Sequence, residues 1–120
     1  MNSVNEMTSD AIEARQRQLC ARHDLPFQAP EELVALAQGT LGQSPIYGCR
    51  IVLPENGNIS WFIHCGEHRQ DLDFYQPLHS YHLAELLPQA LDYLGLPTHA
   101  RFIIDREGYE DVWQQDDVQD

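Results

Sequence analysis

The sequence predicts an α+β domain, in which helices and an antiparallel sheet of about four strands follow one another in the order ααββαββ. Two observations carry this. Two pairs of strand-like segments each flank a turn sequence, Pro54-Glu55-Asn56-Gly57-Asn58 in the first and Arg106-Glu107-Gly108 in the second. Three other stretches place apolar residues at helical spacing. A chain of 120 residues fits one domain. It divides into a helical extension over 1–28, an α+β core over 29–115 and an acidic tail over 116–120.

The first helix is expected from Ser9 or Asp10, with Ile12, Leu19 and Cys20 on one face. Acid stands early and Arg22-His23 late, as the helix dipole prefers. Its apolar stripe is thin, which suits a place at the edge of the fold. Asp24-Leu25-Pro26 ends it. Pro30 suits the first position of a second helix, continued by Glu31-Glu32 and the apolar run Leu33-Val34-Ala35-Leu36-Ala37, with Gly39 as its stop.

Strands are expected over 46–52 and 59–64. Both carry apolar residues at alternate and non-alternate positions, so their sheet should be covered on much of both faces. The polar stretch from Cys65 to Gln76 reads as a long connection, the kind of segment that often carries function. A third helical region over about 80–94 presents Leu83, Leu86, Leu87, Ala90, Leu91 and Leu94, and Pro88 should kink it or start a second segment. Gly95 and Pro97 close it. The last hairpin pairs 101–105 with 109–113.

Composition excludes several functions. Seven arginines, no lysine and 19 acidic residues give a net charge of −12. Seven scattered arginines cannot build the basic patch that binds nucleic acid, and an anionic membrane surface is disfavoured for the same reason. No targeting segment is visible, and the longest apolar run is far short of a membrane span. Three cysteines, Cys20, Cys49 and Cys65, have no disulfide-framework spacing. A reducing cytoplasmic compartment is the expectation.

One chemical pattern is arithmetically a zinc spacing: Cys65-Gly-Glu-His68 followed by His79-Ser-Tyr-His82. A single cysteine among four ligands is an uncommon structural set, and ordinary histidines are the favoured reading, with no cofactor. A thiol enzyme built on Cys65 and His68 is the weaker alternative. Adjacent His64 and Cys65 would point to opposite faces of a strand, and nothing marks an orienting group or an oxyanion hole. The pairs Asp71/Asp73, Asp105/Glu107 and Glu110/Asp111 give no set distance in a cleft, so general acid–base chemistry has little support. Gly39-Thr-Leu-Gly42 lacks the lysine of a phosphate loop. The chain does not read as an enzyme.

Charge is unevenly spread. Residues 1–70 hold 8 acids and 5 arginines, a balance of −3, whereas residues 71–120 hold 11 acids and 2 arginines, a balance of −9. Such a field steers a basic partner. On the last strand Tyr109, Asp111 and Trp113 share one face, with Glu110, Val112 and Gln114 on the other. With Val112 inward, an aromatic–acid–aromatic row of the kind found in binding hot spots faces out. The pattern alone favours the opposite, with the aromatics in the core.

The run Asp73-Phe74-Tyr75-Gln76-Pro77-Leu78-His79, the segment Tyr93-Leu94-Gly95-Leu96-Pro97, the strand Arg101-Phe102-Ile103-Ile104-Asp105 and the closing Tyr109-Glu110-Asp111-Val112-Trp113 resemble a family of small bacterial immunity proteins. It is the class grouped under the thirty-third immunity domain of polymorphic toxin systems, and the resemblance spans about residues 45–115. It implies an antitoxin-like protein that binds and blocks a cognate toxin or effector domain deployed in interbacterial competition. It assigns no catalytic residue. The resemblance and the acidic field together suggest as interface residues Glu67, Asp71, Asp73, Asp105, Glu107, Tyr109, Glu110, Asp111 and Trp113, an acidic and aromatic set that would cover a basic active site.

Overall fold

The computed structural model describes residues 9–67 and 74–115. A helix α1, Ser9–Arg22, leads into β1, Leu33–Leu36, then β2, Ile46–Arg50, and β3, Ile59–Cys65. After β4, Gln76–His79, come the short helices α2, Ser80–Leu86, and α3, Pro88–Leu91, and a 3-10 turn over Asp92–Gly95. The chain closes with β5, Ala100–Ile104, and β6, Glu110–Gln114. The six strands form one sheet in the order β4-β1-β3-β2-β5-β6. Every neighbouring pair is antiparallel except β1 and β3, which run parallel.

The α+β class holds, while the four-stranded antiparallel sheet and the ααββαββ order are corrected at two places. The run from Leu33 is a strand and not a helix. A short, wholly apolar segment fits a strand covered on both faces as well as it fits a helix, and β1 lies between β4 and β3 with Val34, Ala35 and Leu36 all buried. The end of the predicted connection is the edge strand β4. Its Pro77 has no N–H to give to a ladder, which an edge position tolerates. Elsewhere the two hairpins form as expected, and the third helical region breaks at Leu87, with Pro88 opening α3.

Along β2 and β5 burial alternates residue by residue, so one sheet face is covered and the other is not. β3 follows the same alternation after a bulge opposite β1, which leaves Ser60 and Trp61 buried in succession. The covered face carries Ile46, Trp61, Ile63, Cys65, Phe102 and Ile104, and α2, α3 and the 92–95 turn supply Leu83, Leu87, Leu91 and Leu94 against it. Helix α1 lies on that same side, with Leu19 and Cys20 in the core. Gln16 donates its side-chain amide to the Leu91 carbonyl at 3.1 Å, the Cys20 thiol donates to the Gly95 carbonyl at 3.2 Å, and Arg15 pairs with Asp92 at 3.0 Å.

Two glycines are fixed by close approach. A Cβ on Gly48 would fall 2.1 Å from the Phe102 ring, which stacks on Tyr93 with centroids 4.6 Å apart. One on Gly95 would fall 2.8 Å from both Gln16 and Phe27, where α1 meets the turn.

Arg50 ends β2 with its side chain fully buried. Its guanidinium donates to the carbonyls of Gln28, Ala29, Leu94 and Leu96 and to the Ser60 hydroxyl, and it lies 3.5 Å from Glu31. Five N–H donors in a planar fork suit this task. Burial pulls the Arg50 pKa down, and the Glu31 carboxylate works against that pull.

Candidate functional site

The second sheet face lacks the helical cover of the first among the described residues. It presents Tyr47 and Cys49 from β2, Phe62 and His64 from β3, Arg101 and Ile103 from β5, and Trp113 from β6, each half-buried. Phe74 and Tyr75, just before β4, fold onto it. Tyr75 meets Phe62 edge-on at 5.2 Å, and its hydroxyl lies 3.4 Å from Nδ1 of His64, while Phe74 packs near the His64 ring at 5.9 Å. Tyr47 stacks on His64 with centroids 4.8 Å apart and planes 5° from parallel. Between the wall made by Tyr75 and the wall made by Trp113 lies a groove of about 320 Å³ floored by β3, β2 and β5.

This corrects two expectations. The sheet is not covered to a similar degree on both faces, and Tyr109, Asp111 and Trp113 are not in the core. Val112 packs against the core instead, which turns the aromatic–acid–aromatic row onto the open face. The apolar residues that suggested double cover are the rings of the groove.

The acidic candidates separate into groups. Register sets Ile46 opposite both Cys65 and Ile104, so Glu67, two residues beyond β3, and Asp105, one beyond β5, extend from the same end of the sheet. Glu67, Glu107 and Asp111 are exposed there or along β6. Asp105 serves its own turn: Oδ1 accepts from the backbone N–H groups of Glu107 and Tyr109, both at 2.9 Å. Tyr109 is exposed, and the Asp111 carboxylate beside it raises its phenol pKa.

Glu110 faces the other way. It accepts from the Tyr93 hydroxyl and from Arg22 at 2.6 Å, with His23 Nε2 3.3 Å away, and so ties the end of α1 to β6. Burial would raise its pKa, but the Tyr93 hydrogen bond and the Arg22 and His23 charges outweigh that and hold it below the usual glutamate value. Its charge belongs to that contact and not to the open face. Asp71 and Asp73 lie outside the described residues.

The sequence model of the Imm33-like domain matches residues 15–115. The chain belongs to the Imm33-like domain family. The match bears out the immunity-domain resemblance and extends it past its expected start near residue 45 to Arg15, within α1. No curated protein and no solved structure matches the chain.

Within this Imm33-like domain the zinc pattern does not converge. His79 stands opposite Leu33, and Leu33 opposite Ile59, six residues along β3 from Cys65. At about 3.3 Å per residue that is roughly 20 Å along the sheet, so Cys65 and His79 cannot share one metal ion. His79 and His82 instead join Tyr81 in a ring cluster, with Tyr81–His82 centroids 4.4 Å apart. Among the described residues no three His, Cys, Asp or Glu side chains gather as a metal site. His68 lies outside them.

The thiol reading loses its nucleophile. Cys65 is fully buried, and burial raises its thiol pKa. His64 faces the open side, as strand alternation requires. Sequence reasoning missed Tyr47, Cys49, Phe62, Tyr75 and Arg101 as a surface, because each resembled one more core residue or stray polar group. The signal was present in the two-residue spacing of Tyr47 and Cys49 and of Phe62 and His64.

Proposed function

We propose that this protein is an immunity protein that binds a cognate toxin domain in the cytosol, and that the open sheet face is the surface that meets it. Membership of the Imm33-like domain family supports the immunity role. The observation that carries the choice of surface is the one-sided cover of the sheet among the described residues, with a ring-lined groove beside Asp111 and with Glu67 and Glu107 at one end of the sheet. Half-buried aromatic side chains at the centre with charge at the rim is the anatomy of a protein interface. The protein acts by binding rather than by chemistry. Its net charge of −12 draws in a basic target, and the docked sheet then covers the toxin's working site. A toxin that works on nucleic acid, nucleotides or proteins inside the cell fits such an inhibitor. Three free cysteines accord with a reducing compartment, and no helix among the described residues is long and apolar enough to cross a membrane.

The test is rescue. The gene beside this one in its native genome is expressed in a sensitive host with and without this protein. Growth restored by co-expression, together with a complex that co-purifies, is the expected outcome. Toxicity that persists at full expression of this protein overturns the reading.

A further inference from the structure

We infer that the groove is an anchor pocket for one aromatic side chain, a tyrosine or tryptophan projecting from a basic surface of the partner; this rests on the toxin-binding reading above. The groove, about 320 Å³, has room for one large planar side chain. Its contents select the occupant. Tyr47, Phe62, Tyr75 and Trp113 offer faces and edges to a planar ring, the arrangement in which aromatic pairs gain beyond their area. Arg101 stands directly across from Trp113 on the same face, which adds a cation beside an inserted ring and opposes a second cation in the same space. The Tyr75 hydroxyl and His64 Nδ1, 3.4 Å apart, give the groove a polar edge.

Charge sets what surrounds the anchor. Asp111 flanks the groove on β6, and Glu67, Asp105 and Glu107 extend from one end of the sheet. An anionic ligand such as a nucleotide meets repulsion there, while lysine or arginine beside the anchor meets complementary charge. The occupant is therefore a neutral ring carried between basic residues.

The probe is the toxin domain that the rescue test identifies, silenced at its own active site, and association and dissociation rates are measured at low and high salt. Two variants address the groove, each checked by thermal melting. Trp113→Ala removes a wall, and Cys49→Phe fills the space from the floor without truncating anything. Each is expected to weaken binding about thirtyfold, the scale of an interface hot spot, through faster dissociation at both salts. A single Tyr→Ala or Trp→Ala change on the toxin should cost wild type a similar factor and cost the Cys49→Phe variant nothing more.

If wild type binds but both folded variants bind within threefold of it, the anchor pocket is wrong while the immunity reading stands. If every aromatic position on the toxin surface can be replaced without loss, the aromatic occupant is wrong. Failure of wild type itself to bind or protect overturns the broader reading, and this one with it.

Discussion

Arg50 donates to four backbone carbonyls, of which that of Leu94 also accepts from the Trp61 indole N–H, and so joins the 28–31 segment, β2 and the 94–96 segment at one end of the sheet. Arg50→Met leaves those carbonyls and the Glu31 carboxylate without the guanidinium. The expected loss is about 3–5 kcal/mol in urea unfolding, the scale of breaking a buried charge pair. Arg50→Lys should recover only part of it, because an ammonium cannot span the same fork. The residue was legible in part: Ile46, Gly48 and Arg50 share a strand face, so an inward Ile46 predicts an inward Arg50. What the sequence could not show was which carbonyls would meet it, since those belong to loops distant in the chain. Glu110 gives a prediction with a pH sign. Its folded pKa is depressed, so its contribution is fully present above the unfolded glutamate value of about 4.3 and is lost as pH falls through the folded value. Glu110→Gln should therefore lower the melting temperature at pH 7, and the gap to wild type should close as the melt is repeated at progressively lower pH below about 4.3.

At the scale of elements, strands with a turn between them were readable and strands with distant partners were not. β2 with β3, and β5 with β6, are hairpins whose turn residues stand between them in the sequence. β1 pairs with β3 in parallel and with β4 some forty residues away, and neither partner leaves a local signature. Its apolar run after Pro30 therefore passed for a helix, and β4 passed for loop because Pro77 argues against a strand except at an edge. The candidate site shared that fate, since it is assembled from four strands and the segment before β4. Gly48 tests the packing of β2 on β5. Gly48→Ala puts a methyl into the Phe102 ring, which Tyr93 and Trp61 hold from other sides. A loss of about 1–3 kcal/mol is expected in thermal or urea unfolding. Unchanged stability would show that the ring moves freely.

At the scale of the whole molecule, the described residues form a sheet with helices on one side, and the toxin-binding surface proposed above is the other side. Stability resides in the covered face, with Trp61, Phe102 and the leucines of α2, α3 and the 92–95 turn. The open face proposed for binding contributes little to that core. Its charge can therefore be altered without touching the core. Glu107→Lys with Asp111→Lys should leave the melting temperature near wild type. The same variant should slow association with the toxin domain on the order of tenfold at low salt, an effect that fades as added salt shortens the screening length to about 3 Å near 1 M. An association rate independent of both charges would place the acidity outside the encounter surface.

The parallel pairing of β1 has a further consequence, during synthesis. β1 is the first of the described strands to leave the ribosome, and its sheet neighbours, β3 and β4, follow roughly two dozen and forty residues later. At about 5–20 residues per second the wait for β3 alone is of the order of one to several seconds. Through that interval Leu33-Val34-Ala35-Leu36-Ala37 is an apolar, strand-prone segment with nothing to lie against. A nascent chain of this protein thus carries a sticky stretch until the first hairpin is made, so the burden on cellular chaperones ends when β3 arrives.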